Sequence, residues 1–85
     1  FLAIVSNNRS FYNDEIHQER VARTRDRPVE NKWIGQRIGD PDIDIAAIAR
    51  AQGLVGIGPV TTTADLVKAV REGVSAAKAG ASVVI

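Results

Sequence analysis

The chain has 85 residues, 45% of them apolar and 25% charged, and a formal net charge of +1. So small a chain forms one domain at most, burying about 60% of its extended surface in a thin core. With so balanced a charge, a nucleic-acid partner is not expected. Without cysteine there are no disulfides or thiolate metal sites, and a reducing cytoplasm is compatible. No apolar run reaches the ~20 residues of a membrane span. Phe1 and Ile85 both lie in apolar runs. The expectation is therefore a piece of a larger domain, or else a small domain whose first and last strands pair.

Phe1 to Val5 is a short continuous apolar run, as in a strand buried on both faces. It leads into Asn7 and Asn8. The segment SFYNDEIHQERVAR predicts a helix with a thin stripe of Tyr12, Ile16 and Val21, with His17 at its edge. Asp14 and Glu15 suit its start, Arg20 and Arg23 its end, and Glu19 can pair with Arg23 four residues on. From Thr24 to Asp42 no period holds, and Pro28, Gly35, Gly39 and Pro41 punctuate the run. It reads as a long connection with one short extended piece around Trp33 and Ile34. Such loops commonly cover a site or bind something.

GDPDIDIAAIARAQG predicts a helix capped by Asp40 or Asp42, with Pro41 in its first turn. Its apolar face is Ile45, Ile48, Ala49 and Gln52, its alanines at 46, 47, 49 and 51 allow a close approach to a sheet, and Gly53 stops it in the left-handed conformation. LVGIG is a strand. The stretch TTADLVKAVREGVSAAKAG predicts a second long helix with a Thr62–Asp65 capping pair and a stripe of Leu66, Val67, Val70, Val74 and Ala77. Gly73 costs that helix up to ~1 kcal/mol relative to alanine. Ala81 to Ile85 is the last strand. Strands alternating with helices imply an α/β fold, a parallel sheet with helices on both faces.

In open α/β sheets ligands bind beyond the carboxyl ends of the strands, where Asn7 and Asn8 are expected. A carboxamide offers a neutral oxygen acceptable to a hard cation, and magnesium takes a few protein oxygens with phosphate and water completing its shell. The following helix would bring amide N–H groups near a phosphate. The same residue pair also suits an ordinary turn.

Three segments in order carry a family resemblance: FLAIVSNNRSFY, GDPDIDIAAIARAQG and TTTADLVKAVREGVSAAKAGASVVI. Together they resemble the C-terminal, diphosphate-binding domain of thiamine-diphosphate-dependent enzymes, in the group of acetolactate synthase, benzoylformate decarboxylase and related 2-oxo acid decarboxylases. The likeness spans nearly all of residues 1–85, which would be the later part of that doubly wound domain.

It implies that the side-chain oxygen of Asn8 and the backbone carbonyl of Ser10 ligate the magnesium or calcium held by the diphosphate. Asn7 would brace the turn, and Arg9 lies near the rim as a candidate for an anion. Phe11 would pass beside the cofactor or pack in the core. The cofactors implied are thiamine diphosphate and Mg2+, and the reaction is decarboxylation or acetolactate-synthase-like carboligation of a small 2-oxo acid. The partners implied are the rest of the polypeptide and a second identical subunit in a cytoplasmic homo-oligomer.

The family's Gly-Asp-Gly, which precedes Asn-Asn, is not in this sequence; Ile38-Gly39-Asp40 follows the asparagines and does not replace it. The family's catalytic glutamate belongs to another domain. No catalytic residue is therefore assigned, and these 85 residues alone should be inactive.

His17, the sole histidine, is a base or ligand candidate or an ordinary surface residue. Arg20, Arg23, Arg25 and Arg27 suit a solvated face or salt bridges, and Asp42 and Asp44 a helix's first turn. Trp33 suits an interface anchor or a satellite core residue. A non-enzymatic partner-binding module using the basic loop 20–37 and Trp33 is the alternative function. The glycines of GLVGIGPV match neither a dinucleotide fingerprint nor a P-loop.

Overall fold

A computed structural model describes residues 1–85. The elements run β1 (Leu2–Ala3), α1 (Tyr12–Thr24), α2 (Ile45–Ala51), β2 (Val55–Gly56), α3 (Thr63–Lys78) and β3 (Val83–Val84), in the order the sequence predicts. The chain forms two compact units: Phe1–Ser6 with Asp44–Ile85, and Asn7–Ile43. No helix is long and apolar enough to cross a membrane.

The first unit is α/β. Its three strands are parallel in the order β1-β3-β2, so the first and last strands of the chain pair. The ladder continues past the short strands through Val5 N–H to the Ile85 carbonyl, 2.8 Å, and Ile57 N–H to the Val84 carbonyl, 2.9 Å. Central β3 carries Val83, which is fully buried. Val83→Ala should cost about 2 kcal/mol through lost burial and a residual cavity, read from the denaturation midpoint.

The two helices of this unit lie on opposite faces of the sheet. Alternate strand residues point to opposite sides. Val83 faces α3, its Cγ1 lying 3.4 Å from where a Cβ on Gly73 would stand. Gly56 pairs with the next residue, Val84, and so faces the other way, against Ala46 of α2.

Both helices turn small residues inward, as expected for Ala46 and Ala49, while the large members of the expected apolar faces are corrected in part, Val70 and Ala77 being half-buried. In α2 the buried residues are Ala46 and Ala49, while Ile48 is 55% exposed. In α3 they are Ala69 and Gly73, while Leu66, Val67 and Val74 remain exposed. Small side chains allow the helix axes to come close to the strands, and the larger stripe is rotated off the sheet. Gly73 shows the reason for its helix penalty: a Cβ there would stand 2.9 Å from Ile85 Cδ1 and 3.1 Å from Leu2 Cδ1.

The caps are partly as expected. Gly53 and Gly80 follow α2 and α3 with φ of 80° and 96°. Thr62 accepts from Asp65 N–H, but Asp65 bonds the Thr62 hydroxyl at 2.6 Å, its side chain being a methylene shorter than the glutamate that closes a full capping box. The cap of α2 is Asp44, accepting from Ala47 N–H at 2.8 Å, not Asp40 or Asp42. Pro41 and Asp42 consequently precede the helix instead of filling its first turn.

The second unit consists of the loop that begins at Asn7, α1 and the connection that follows it. Successive turns occupy 30–36, with Trp33 carbonyl accepting from Gln36 N–H at 3.0 Å and from Arg37 N–H at 3.3 Å. The extended piece is not at Trp33 and Ile34 but at Arg37, which bridges Ser10 in antiparallel fashion. Local turn bonds satisfy the backbone around Trp33, so no strand partner is needed there.

Candidate functional site

The loop 7–10 is built from two overlapping turns. Asn7 Oδ1 accepts from Arg9 N–H at 3.0 Å and Asn8 Oδ1 from Ser10 N–H at 3.1 Å. Asparagine closes such turns because its amide oxygen reaches the backbone two residues on. Between them Arg9 adopts φ of 58°, a left-handed conformation costing a non-glycine residue about 1 kcal/mol. The asparagines therefore act as turn formers. Asn7 braces the loop as anticipated, and Asn8 keeps one lone pair of its oxygen uncommitted.

Ser10 is held from several directions. Ile38 N–H donates to the Arg9 carbonyl at 2.8 Å and Phe11 N–H to the Gln36 carbonyl at 3.0 Å, so the bonds of this bridge fall on either side of Ser10. The Ser10 hydroxyl donates to Glu15 Oε1. Only its carbonyl is left without a donor from the protein.

Glu15 is the one buried charged residue of the chain. The sequence presents it merely as an acid in a helix's first turn. With Phe11 as N-cap, Ser10 and Glu15 occupy the N′ and N4 positions, where many helices place an apolar staple. A serine and a glutamate at that spacing were the available signal for this contact.

The other candidates are placed as follows. The Arg9 guanidinium pairs with Asp42 at 3.2 Å; both side chains are mostly exposed, so the pair contributes at most about 1 kcal/mol. Phe11 is 57% exposed, which corrects the core-packing option for it. His17 is exposed and lines a shallow, open groove with Val21, Arg25, Arg27 and Pro28. Trp33 is partly exposed, with Arg37 Cζ 5.2 Å from its ring centroid. That distance suits a cation–π contact. Asp44 serves as a cap, and Asp42 as the partner of Arg9.

Glu19 pairs with Arg23 at 2.8 Å, as expected from their spacing, and also with Lys32 from the connection. The Lys32 ammonium, and then the Arg23 guanidinium, hold the Glu19 carboxyl down to about 2 from its ordinary 4.5. Its pairing therefore contributes stability that is complete above pH 4.5 and lost as pH falls through about 2. Lys32→Ala should flatten that acid limb in stability measured against pH. An unchanged limb would show that the pair contributes nothing.

No group of three or more histidine, cysteine or carboxylate side chains is gathered as for a metal ion. The donors at loop 7–10 are of another kind, an amide oxygen and a carbonyl. Both are hard, neutral oxygens, which fits a partial share of a magnesium or calcium shell but not a complete one. The chain matches no family model, no curated protein and no solved structure.

Proposed function

We propose that this chain supplies one side of a magnesium–diphosphate site in a thiamine-diphosphate-dependent enzyme acting on a small 2-oxo acid. The observation that supports the reading is the Asn8–Ser10 loop. It puts two hard oxygens, the Asn8 Oδ1 and the unpartnered Ser10 carbonyl, within three residues, with the Arg9 N–H and carbonyl and the Ser10 N–H held by hydrogen bonds. The resemblance of the three sequence segments supplies the choice of cofactor.

In this reading Asn8 and Ser10 hold the cation and Asn7 braces the loop by accepting from the Arg9 N–H. Arg9 lies at the rim with its charge already shared with Asp42. Exposed Phe11 is the apolar surface next to the loop. Bound thiamine diphosphate would itself supply the electron sink for decarboxylation or carboligation. This chain binds and orients; it provides no catalytic acid or base. The rest of the site would come from further sequence and from a second identical subunit, in a cytoplasmic homo-oligomer.

The test is calorimetric titration of the whole protein with thiamine diphosphate, with and without Mg2+. Tight binding that requires the cation is the expected result. Absence of binding in both conditions would remove the reading.

A second reading is favoured by a different observation. Arg20, Arg25 and Arg27 carry no carboxylate partner, and Trp33 and Ile34 are exposed on the same basic segment 20–37. This would be a non-enzymatic module docking a partner through that segment. Binding unaffected by cofactor or cation, but lost in Trp33→Ala, would select it.

A further inference from the structure

We infer that Glu15 is a positioning residue that aims the Ser10 carbonyl, acting through the Ser10 hydroxyl; this rests on the proposed cation-binding role of that carbonyl. Burying a carboxylate is costly unless it is paired or hydrogen-bonded. Glu15 is only 5% exposed, and its side-chain hydrogen bond is to the hydroxyl of Ser10. The Ser10 hydroxyl is the hydrogen-bond partner that the buried carboxyl requires. Glu15 stands on the first turn of a 13-residue helix, so the post to which Ser10 is tied is rigid.

The tether complements the other restraints on Ser10. The amide of Ser10 is fixed by Asn8 Oδ1, and the carbonyls before and after the bridge are engaged with Ile38 and Phe11 N–H through residues 9 and 36. The Ser10–Phe11 peptide plane is held through Phe11 N–H, and the side-chain tether adds a tie between the Ser10 Cα and α1, so the carbonyl is held in place relative to that helix. The carbonyl is the one polar group of Ser10 left open. Glu15 thus stands to the cation as an outer partner stands to a metal ligand, and loss of such a partner typically weakens metal affinity 10–100-fold.

Ser10→Ala is the decisive variant, because it removes the tether and keeps the carbonyl. Ser10→Ala and Glu15→Ala should each weaken Mg2+ binding, in the presence of thiamine diphosphate, by about tenfold. The double variant should lose no more than either single one, since both remove one contact. Glu15→Gln retains an acceptor and should keep most of the affinity. In cation-free protein, the Ser10 amide should exchange with solvent faster in Ser10→Ala and Glu15→Ala than in the parent.

Unchanged Mg2+ affinity and unchanged Ser10 exchange in Ser10→Ala would overturn the inference, even if Glu15→Ala failed to fold. Faster exchange with unchanged Mg2+ affinity would also overturn it, leaving a tether without a positioning role. If the parent binds no Mg2+ with thiamine diphosphate, the proposed function falls and takes the positioning role with it; the exchange measurement then separately decides whether the tether exists.

Discussion

Gly56→Ala should destabilise the sheet unit by about 3 kcal/mol or more, the upper end of what overpacking a core costs. The added Cβ would stand 2.2 Å from the Ala46 carbonyl oxygen, 3.0 Å from its carbon and 3.1 Å from Arg50 Cγ. Two of those atoms are helix backbone and cannot rotate away. Strand β2 or helix α2 would have to shift, which would also disturb the bond from Arg50 Nη1 to the Gly56 carbonyl at 2.9 Å. Gly53→Ala is the control. Nothing lies within 4 Å of its added Cβ, so the cost there comes from φ of 80° alone, about 1 kcal/mol. Denaturant midpoints compare the two, and equal losses would show that the α2–β2 approach is looser than these distances.

Asn8→Ala should weaken Mg2+ and thiamine diphosphate together, by about a hundredfold or more, since removing a ligand costs at least as much as removing an outer partner. It also opens the Asn8–Ser10 turn, at about 1 kcal/mol for the lost hydrogen bond. Asn8→Asp separates these effects. It keeps the turn acceptor and offers the cation a charged oxygen, so cation binding should survive it. If Asn8→Ala leaves the affinity for both ligands unchanged, the ligand role is refuted. Asn7→Ala is the contrast, expected to loosen the loop at Arg9 N–H with a smaller loss of affinity.

The site was legible in part. That two asparagines after an apolar run form turns follows from their chemistry, and both do. The Glu19–Arg23 pair followed from helical spacing, because partners four residues apart meet whatever the tertiary fold. Lys32 joining Glu19 and Arg37 bridging Ser10 did not follow. Each brings together residues separated by an irregular connection, where no periodicity sets the register. Asp42 offered two local roles as a helix acid, and a distant arginine gave it a third.

By itself the sequence determined the succession of strands and helices, the α/β class and the glycine stops after α2 and α3. These depend on apolar runs and on the conformations available to each residue within a few positions. For α2 the alanines already pointed to the side that nears the sheet, but tertiary structure alone decided that Ile48 in α2 and Leu66, Val67 and Val74 in α3 stay exposed. The isoleucine and valine stripes have the greater apolar area, but the closest approach goes to Ala46, Ala49, Ala69 and Gly73, because a helix nears a strand only where side chains are small. It also decided that Glu15 is buried on Ser10. Burial of a charge depends on where its partner lies in space, and charge patterning along the chain does not carry that information.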